Sequence, residues 1–390
     1  LNGANATKIE AVWHGGYHPE LWQNCLKACE EFFKINSDNH NPFAMIQPTG
    51  NTVNDYRKAF REAYFGQGNS EKLIEVHPFG SNDYNAPWEW EWPSQAIASL
   101  IEESHMGHTN PTLELMEMFP MANGKNYNYQ NLYGTENPEN IDIFVDRDPR
   151  LYETVVVPRE NFPSGTVGDY CSKNYIDSWY NGALKNNSKM NGNQDDVASG
   201  YRKFKWFLDY DKMDDQPIGV SYIRLAEVYL IYAEALAELN EKEAALKQVN
   251  IVRSRVGLGN LEDMNPELDL KNNKENLINE ILRERNCEIG AECGDRTYDM
   301  IRRMRQDLFT KTLHEMKVYR LDASGNRMTE GDTRLNEGEP WPKFEYERPA
   351  IVNGARRWWE PGYWTNKWYL DPVSRIEIQK GYGLTQNPGW

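Results

Sequence analysis

Apolar and small side chains recur every three or four residues in several stretches of the chain, which is the spacing that lines one face of a helix. The first stretch follows Pro19, a residue type favoured at helix starts, and predicts a helix over residues 19–34. The same kind of pattern predicts a second helix over residues 55–65. Residues 1–80 are therefore expected to form part of a helical scaffold.

The middle of the chain, residues 81–220, is rich in Gly, Asn and Pro and is predicted to consist mostly of loops. A short strand is predicted just before it, over residues 72–79. Inside it, apolar spacing predicts one helix that begins near Pro111, and the run LYETVVV predicts one strand over residues 151–157. Because binding residues are often carried on loops, this region is the expected ligand region.

Longer helices are predicted in the part of the chain that follows. Residues 221–259 hold two apolar-periodic segments broken near Asn240, which indicates a helical hairpin. A further helix pair is predicted over residues 274–292 and 295–309. Tyr, Leu and Ala at tetratricopeptide-like offsets favour stacked helix pairs over residues 221–320, although no strict repeat period is present. The predicted fold class is mainly α, with tetratricopeptide-like hairpins, a loop-rich region and a few short strands.

One tract of the predicted loop region, NDYNAPWEWEWPSQ, places Trp88, Trp90 and Trp92 at alternate positions. In an extended segment successive side chains point to opposite faces, so the three indoles would share one face. That face is either packed beneath the loop or exposed as a platform roughly 13 Å long, which is enough for more than one sugar ring. The pattern leaves both outcomes open for each ring, since large aromatic side chains are buried on average.

Composition narrows the choice of ligand. The chain of 390 residues carries a formal net charge of −16, and nucleic acids and anionic membrane surfaces attract Lys and Arg, so neither is an expected partner. Aromatic residues make up 12% of the chain, and many stand beside Gly, Asn and Pro. Aromatic rings pack on the C–H faces of sugars, while amides and carboxylates bond to hydroxyls. Carbohydrate is therefore the expected ligand class, and peptide is its nearest competitor.

Other candidate ligand-binding residues are aromatic, amide or carboxylate side chains in predicted loops. They are Asn82, Asp83, Tyr84, Tyr127, Tyr129, Trp179 and Trp359. Tyr133, Tyr180 and Trp364 are candidates of the same rank as Tyr127, Trp179 and Trp359, and Trp364 stands in the loop-rich C-terminal part, residues 321–390. Each has a structural alternative, because loop Asn and Asp commonly stabilise turns and large rings commonly enter cores.

The start of the chain carries residues that could form a metal site. His14, His18, Cys25 and Cys29 have zinc-ligand side chains, but their spacing matches no common zinc finger. The alternative is an amphipathic helix that carries two small thiols on its packing face. Spaced carboxylates typical of a calcium loop are absent from the sequence, so calcium is unsupported and no cofactor or metal is expected.

Five segments stand in order between residues 110 and 390: NPTLELMEMF, DRDPRLYETVV, YIRLAEVYLIYAEALAE with VNIVRSRVGL, LRERNCEIGAECGDRTYDMIRR, and the terminal YGLTQNPGW. Together they resemble segments of the SusD/RagB family of bacterial surface nutrient-binding lipoproteins. The fourth is similar to the family signature R-E-R-x-x-E-x-x-x-E-x-x-R-x-x-D. Its charged positions are carried here by Arg283, Glu284, Arg285, Glu288, Glu292, Arg296 and Asp299, with three residues instead of two between Glu292 and Arg296. Cys293 stands where the family usually has Gly.

The resemblance implies a single SusD-like unit over residues 1–390, with helical repeats as scaffold and variable loops as the ligand site. It implies a lipid-anchored protein on the extracellular face of the outer membrane, which captures oligosaccharide without catalysis. It also implies a partner, a SusC-like, TonB-dependent β-barrel that receives the oligosaccharide. Leu1 falls well inside the family pattern, so the lipid anchor and further N-terminal helices are expected to lie outside this chain.

Two other functions are compatible with the residues. One is peptide binding by a member of the same family. The other is an α-helical glycoside hydrolase, which requires two carboxylates flanking the scissile bond, and nothing in the sequence selects such a pair. The signature charges from Arg283 to Asp299 are expected to form ion pairs within and between helices rather than an acid–base site.

Overall fold

The structure is a computed structural model of the chain. It describes residues 16–65, 68–76, 111–134, 141–158, 171–172, 175–176, 178–182, 204–205, 220–292, 295–336, 338–351, 364–387 and 389–390. None of the helices within these residues is long and apolar enough to cross a membrane.

The described elements are mainly helical. The α-helices are α1 (Pro19–Asp38), α2 (Val53–Phe65), α3 (Leu113–Met118), α4 (Pro149–Thr154), α5 (Leu225–Glu238), α6 (Lys242–Ser254), α7 (Leu261–Met264), α8 (Lys274–Ile289), α9 (Asp295–Arg302), α10 (Gln306–Phe309) and α11 (Arg375–Gln379). The strands are β1 (Lys72–Val76), β2 (Cys171–Ser172), β3 (Tyr175–Ile176), β4 (Val220–Arg224), β5 (Lys317–Arg320) and β6 (Phe344–Glu347). The predicted fold class is confirmed.

The hairpin of α5 and α6 is the centre of the helical scaffold. It turns at Asn240, which has a φ of 67°, a left-handed conformation that Asn adopts more readily than most residues. Helices α1 and α8 both pack against α5. Buried aliphatic side chains from these helices, among them Leu230, Leu246 and Ile281, form one hydrophobic core. Burial of this shared apolar face stabilises the stacked helices.

A second hydrophobic core receives side chains from α3, α4, β5 and β6. Leu151 and Val318 are fully buried in it, and so is Trp179. Helix α8 connects the two cores, because Ile281 in its first half belongs to one and Cys287 in its second half to the other. The predicted loop region is thus anchored on the same helix as the repeats.

The described strands form two-stranded antiparallel sheets in the pairs β1–β4, β2–β3 and β5–β6. In the first pair Lys72 lies opposite Arg224, so the strand after α2 is tied directly to the start of α5. In the third pair Tyr319 lies opposite Glu345 and Lys317 lies opposite Glu347.

Most predicted elements are confirmed. The helices predicted over residues 19–34 and 55–65 are α1 and α2, and the helix predicted near Pro111 is α3. The hairpin break at Asn240 is also confirmed. Strand β1 occupies the first five residues of the strand predicted over residues 72–79, and the remaining three lie outside the described residues.

Two predicted elements are wrong. The run at residues 151–157 is not a strand, because its first part belongs to α4. Pro149 opens that helix, and the Asp148 side chain caps it by accepting a hydrogen bond from the Arg150 amide at 2.9 Å. Residues 221–224, predicted as the start of a helix, are in β4, because pairing with β1 outweighs their helical spacing.

The helix predicted over residues 295–309 is interrupted. Helix α9 ends at Arg302 and α10 begins at Gln306, while Met304 between them has a φ of 50°. A helix cannot continue through a residue in the left-handed conformation. The chain therefore forms two short helices separated by a turn, instead of the single predicted helix.

Buried charges join the helices near the end of α8, as the sequence predicted for the signature residues. We call this group the central charge cluster; its members are Glu71, Arg150, Arg224, Arg255, Glu284, Glu288 and Glu292. Arg150 contacts Glu284 at 2.6 Å, and Arg224 contacts Glu292 at 2.9 Å. The predicted ion pair between helices is confirmed by Arg285 and Asp299, 3.1 Å apart across α8 and α9.

The central charge cluster is expected to make the protein less stable at acid pH. Burial acts to raise the pKa of Glu292, but the positive charges of Arg224 and Lys205 outweigh that effect and lower the pKa to about 2. Because the folded pKa lies below the unfolded value of 4.5, the carboxylate's contribution is complete above about pH 4.5 and is lost as the pH falls towards 2. We expect Glu292→Gln to lower the free energy of unfolding strongly at pH 7 and much less near pH 2.

Urea denaturation at a series of pH values between 2 and 7 measures this difference. Glu377→Gln is a suitable control, because Glu377 pairs with Lys380 at a solvent-exposed site. A destabilisation by Glu292→Gln that stayed constant over the whole pH range would contradict the assignment.

Candidate ligand-binding surface

Most of the predicted ligand-binding residues lie outside the described residues. These are Trp88, Trp90, Trp92, Asn82, Asp83, Tyr84 and Trp359. Their place in the ligand site therefore stays a prediction from the sequence. The structure does describe Tyr127, Tyr129 and Trp179; Tyr127 is partly exposed, whereas Tyr129 and Trp179 are buried.

Tyr127 and Tyr129 stand in the segment that follows α3. Tyr129 is buried, and its hydroxyl donates a hydrogen bond to the Phe119 carbonyl oxygen at 2.8 Å. The Tyr127 ring meets it edge to face, with ring centroids 4.7 Å apart, and keeps part of its surface in solvent. Burial raises the pKa of Tyr127, so the phenol stays neutral and can donate a hydrogen bond at neutral pH.

The buried Arg147 side chain packs against both tyrosine rings and holds them in place. Its guanidinium is buried, and it donates hydrogen bonds to the carbonyl oxygens of Met116 at 3.0 Å and Phe119 at 2.8 Å. The guanidinium carbon lies 4.6 Å from the centroid of Tyr129 and 5.9 Å from that of Tyr127. This is cation–π distance, so the position of both rings is fixed by a cation that is itself tied to the backbone.

Trp179 is fully buried in the second core. Its indole N–H donates to the Thr333 carbonyl oxygen at 3.1 Å, and its ring packs on Phe344 with centroids 5.1 Å apart. A ring with no exposed surface cannot stack on a ligand. In this structure Trp179 and Tyr129 therefore act as packing supports, and Trp364, which stacks on Phe309 at 4.3 Å, does the same.

Tyr180, the next residue along the chain, is only partly buried. Its ring stacks on Tyr319 of β5, with centroids 5.2 Å apart and ring planes 28° apart. The guanidinium of Arg327 lies 4.5 Å from the Tyr319 centroid, and Glu345 and Glu347 bind that guanidinium at 2.5 Å and 2.7 Å. We call Tyr180, Tyr319 and Arg327 the tyrosine stack.

The tyrosine stack presents a preorganised aromatic surface. Burial and the Glu347 carboxylate raise the pKa of Tyr319 to about 12, so its ring is neutral under physiological conditions. The two glutamates come from alternate positions of β6 and fix Arg327 from one side. Tyr180 can therefore offer ring surface to a ligand without first losing rotational freedom, which is the entropic advantage of a held ring.

Neither Tyr319 nor Arg327 is among the ligand-binding residues predicted from the sequence. The alternation Phe-Glu-Tyr-Glu at residues 344–347 is a local sign of the strand that carries their partners. Prolines on both sides of that run obscure it. The contact between Tyr180 and Tyr319 spans 139 residues of sequence and has no local sign at all.

The different roles of the adjacent aromatics Trp179 and Tyr180 can be checked by stability. We expect Trp179→Ala to lower the free energy of unfolding by about 3–5 kcal/mol, because it empties a core site. We expect Tyr180→Ala to cost only about 0.5–1.5 kcal/mol, the range for one aromatic pair. Urea denaturation followed by circular dichroism measures both changes in the free energy of unfolding. Equal changes would contradict the assignment of Trp179 to the core and Tyr180 to the surface.

Comparison with known proteins places the chain in a family. The sequence model of the SusD family matches residues 60–390. The chain belongs to the SusD family. No curated protein matches it significantly.

Solved SusD-like structures share the fold of this chain. A SusD-like protein from Bacteroides fragilis is 22% identical with a TM-score of 0.63, and the match covers 95% of this chain and 62% of that one. A second protein, BT4246, is 20% identical with a TM-score of 0.66, and the match covers 96% of this chain and 65% of that one. This chain thus spans less than two thirds of the length of both.

Proposed function

We propose that this SusD-family protein binds oligosaccharides on the cell surface without cleaving them and delivers them to a SusC-like, TonB-dependent transporter. The observation that carries the proposal is the family match over residues 60–390. In the same proposal the protein sits on the extracellular face of the outer membrane, held by a lipid anchor outside this chain. Binding needs no cofactor.

The described aromatic surfaces support a carbohydrate ligand. Tyr127 presents a partly exposed ring that contacts Tyr129 and Arg147. Tyr180 presents a partly exposed ring that stacks on Tyr319, and Arg327 in turn packs on Tyr319. A sugar ring can pack its C–H face on such a surface, while the phenol hydroxyl bonds to a sugar hydroxyl. The tryptophan tract at residues 82–95 supplies the main platform in this proposal.

The placement of the buried carboxylates supports a binding role rather than catalysis. Glycoside hydrolysis requires one carboxyl group with a raised pKa and a second that flanks the same bond. Within the described residues, Glu284 and Glu292 are buried, and their arginine partners lower the pKa of each to about 2. Carboxylates in that state are poor general acids and are closed to substrate.

A binding screen tests the proposed function. The protein is assayed against plant polysaccharides, host-type glycans and peptides, by affinity electrophoresis for polymers and calorimetry for soluble ligands. We expect saturable binding to at least one glycan and none to the peptides. Binding to peptides alone would replace the proposal with the peptide-binding alternative.

Delivery to the transporter is tested separately. The full-length protein with its anchor, tagged and expressed in its own host, is purified from detergent-solubilised outer membranes. We expect a TonB-dependent barrel to co-purify with it. Recovery of the tagged protein alone after mild crosslinking would remove the transporter from the proposal while leaving glycan binding intact.

A further inference from the structure

An open cleft on the helical scaffold lies apart from the proposed binding surface. Its volume of about 580 Å³ is within the range of about 300–1,000 Å³ that is usual for small-molecule sites. Its walls are the first half of α8 and the turn between α9 and α10. We call it the α8 cleft. Its described lining contains no residue of the tryptophan tract or of the tyrosine stack.

One face of α8 forms the first wall. Glu275, Ile278, Asn279 and Leu282 stand three or four residues apart, so their side chains share that face. Leu282 is buried and Ile278 is partly exposed. The Glu275 carboxylate is exposed and has no hydrogen-bond partner within the part of the chain that the structure describes. This wall therefore offers an apolar surface beside a hydrogen-bond acceptor.

The turn between α9 and α10 forms the second wall. The left-handed Met304 interrupts the helix there, and Arg305 reaches across to α8, where its Nη1 atom donates to the Asn279 side-chain oxygen at 2.8 Å. The Nε and Nη2 atoms of Arg305 both donate to the Asp307 carboxylate at 2.8 Å. Because a guanidinium only donates, the Asn279 oxygen faces Arg305, and the Asn279 NH2 group is left without a partner among the described residues.

The charges of the α8 cleft favour a neutral ligand. Every basic side chain of its described lining is paired with a carboxylate: Lys274 with Glu238, Arg305 with Asp307, and Arg303 with both Glu234 and Glu238. Glu275 adds a further negative charge, so this lining does not attract a phosphate or a carboxylate. A wholly apolar ligand would cover polar groups without bonding to them. A neutral ligand with many hydroxyl groups avoids both problems, because each hydroxyl can donate and accept hydrogen bonds.

An exposed aromatic ring stands beside Lys274, one of the lining residues. The Tyr17 hydroxyl donates to the Glu238 carbonyl oxygen at 2.9 Å, and the Lys274 ammonium lies 5.2 Å from the centroid of the Tyr17 ring. Tyr17 is 58% exposed, so these contacts hold the ring while most of its surface stays in solvent. Such a ring can pack against the C–H face of a sugar.

We propose that the α8 cleft binds a short neutral oligosaccharide, separately from the tryptophan tract. The Asn279 NH2 group donates to one sugar hydroxyl, the Glu275 carboxylate accepts from another, and the C–H face packs on Ile278 and Tyr17. The choice of a sugar among neutral hydroxylated ligands rests on the proposed function, whereas the geometry of the cleft does not. Two sites on one protein raise the apparent affinity for a polymer that is long enough to reach both.

The test uses the 390-residue chain with Trp88→Ala, Trp90→Ala and Trp92→Ala, so that the tract does not contribute to binding. Titrations with maltotriose, cellotriose, xylotriose and mannotriose are followed by saturation-transfer NMR. We expect at least one trisaccharide to bind weakly. Adding Glu275→Ala or Asn279→Ala should weaken that binding roughly 10-fold, the effect of losing one hydrogen bond.

Asn272→Ala and Tyr222→Ala are matched controls, because both residues are exposed and neither lines the cleft. Each should leave trisaccharide binding unchanged, whereas Tyr17→Ala should weaken it. Folding of every variant is verified by circular dichroism and melting temperature. Because Glu275 is exposed, Glu275→Ala is expected to keep the melting temperature of the triple variant, and it decides the test even if Asn279→Ala does not fold.

Three results would count against the inference. Trisaccharide binding that Glu275→Ala leaves unchanged would overturn the assignment to the α8 cleft. Loss of all trisaccharide binding in the triple variant, while the unaltered chain binds glycans, would overturn it as well; both results leave the proposed function intact. Failure of the unaltered chain to bind any glycan would contradict the proposed function together with the inference.

Discussion

Replacing Glu288 with Gln is expected to lower the free energy of unfolding by about 3–5 kcal/mol, the cost of breaking a buried ion pair from one side. The Glu288 side chain is fully buried, and its carboxylate contacts Arg150 at 3.0 Å, Arg224 at 2.5 Å and also Arg255. Gln keeps the shape but removes the charge. Three buried guanidinium groups would then share one carboxylate fewer.

Urea denaturation at pH 7 gives the change in the unfolding free energy, and an unchanged slope against urea shows that the same surface is exposed. Glu275→Gln is the matched control, since Glu275 is an exposed carboxylate in the first turn of the same helix, α8. We expect the control to cost less than about 1 kcal/mol. Similar costs for both changes would show that the central charge cluster does not hold α8 in place.

The second large effect is expected at the tryptophan tract. Changing Trp88, Trp90 and Trp92 together to Ala should reduce oligosaccharide affinity at least 100-fold, because each stacked ring contributes about 1–3 kcal/mol when a flat ligand face packs on it, by analogy with base stacking. The melting temperature should change little if the rings are exposed. Calorimetry with the best ligand from the binding screen measures the loss.

Trp390→Ala is a matched control for that experiment. Trp390 is 37% exposed and lies at the end of the chain, where its indole N–H donates to the Leu370 carbonyl oxygen at 2.9 Å. Its removal takes away an exposed indole without touching the tract, so affinity should be unchanged. Full affinity in the triple variant would place the ligand elsewhere, with the tyrosine stack as the next surface to test.

The sequence was sufficient to predict elements whose apolar spacing, helix-start residues and turn residues agree with the faces that the fold buries. Helix α1 follows Pro19 and carries an apolar face, and the α5–α6 hairpin has a turn residue, Asn240, that tolerates a left-handed conformation. Helix α4 was missed because its six residues are too few to show a helical period. Its start could still have been inferred from Asp148 and Pro149, a cap followed by a favoured first residue.

Contacts between residues far apart in the sequence limit how much of the binding surface can be predicted from the sequence. The sequence around Trp179 is typical of a loop, yet Thr333 and Phe344, both more than 150 residues later, bury that ring completely. Tyr180 beside it stays partly exposed, although its ring stacks on Tyr319, which lies 139 residues later. No local pattern separates two adjacent aromatic residues in this way, so core and surface roles could not be assigned from sequence.

The most direct test of the central claim, glycan capture without cleavage, is one calorimetric titration followed by recovery of the ligand. The protein is titrated with the oligosaccharide that binds best in the screen, incubated with it overnight, and the sugar is then separated and sized by chromatography, with new reducing ends assayed. The account predicts saturable binding with the oligosaccharide recovered at its original length. Absence of binding to every glycan, or shortened products that require the folded protein, would contradict it.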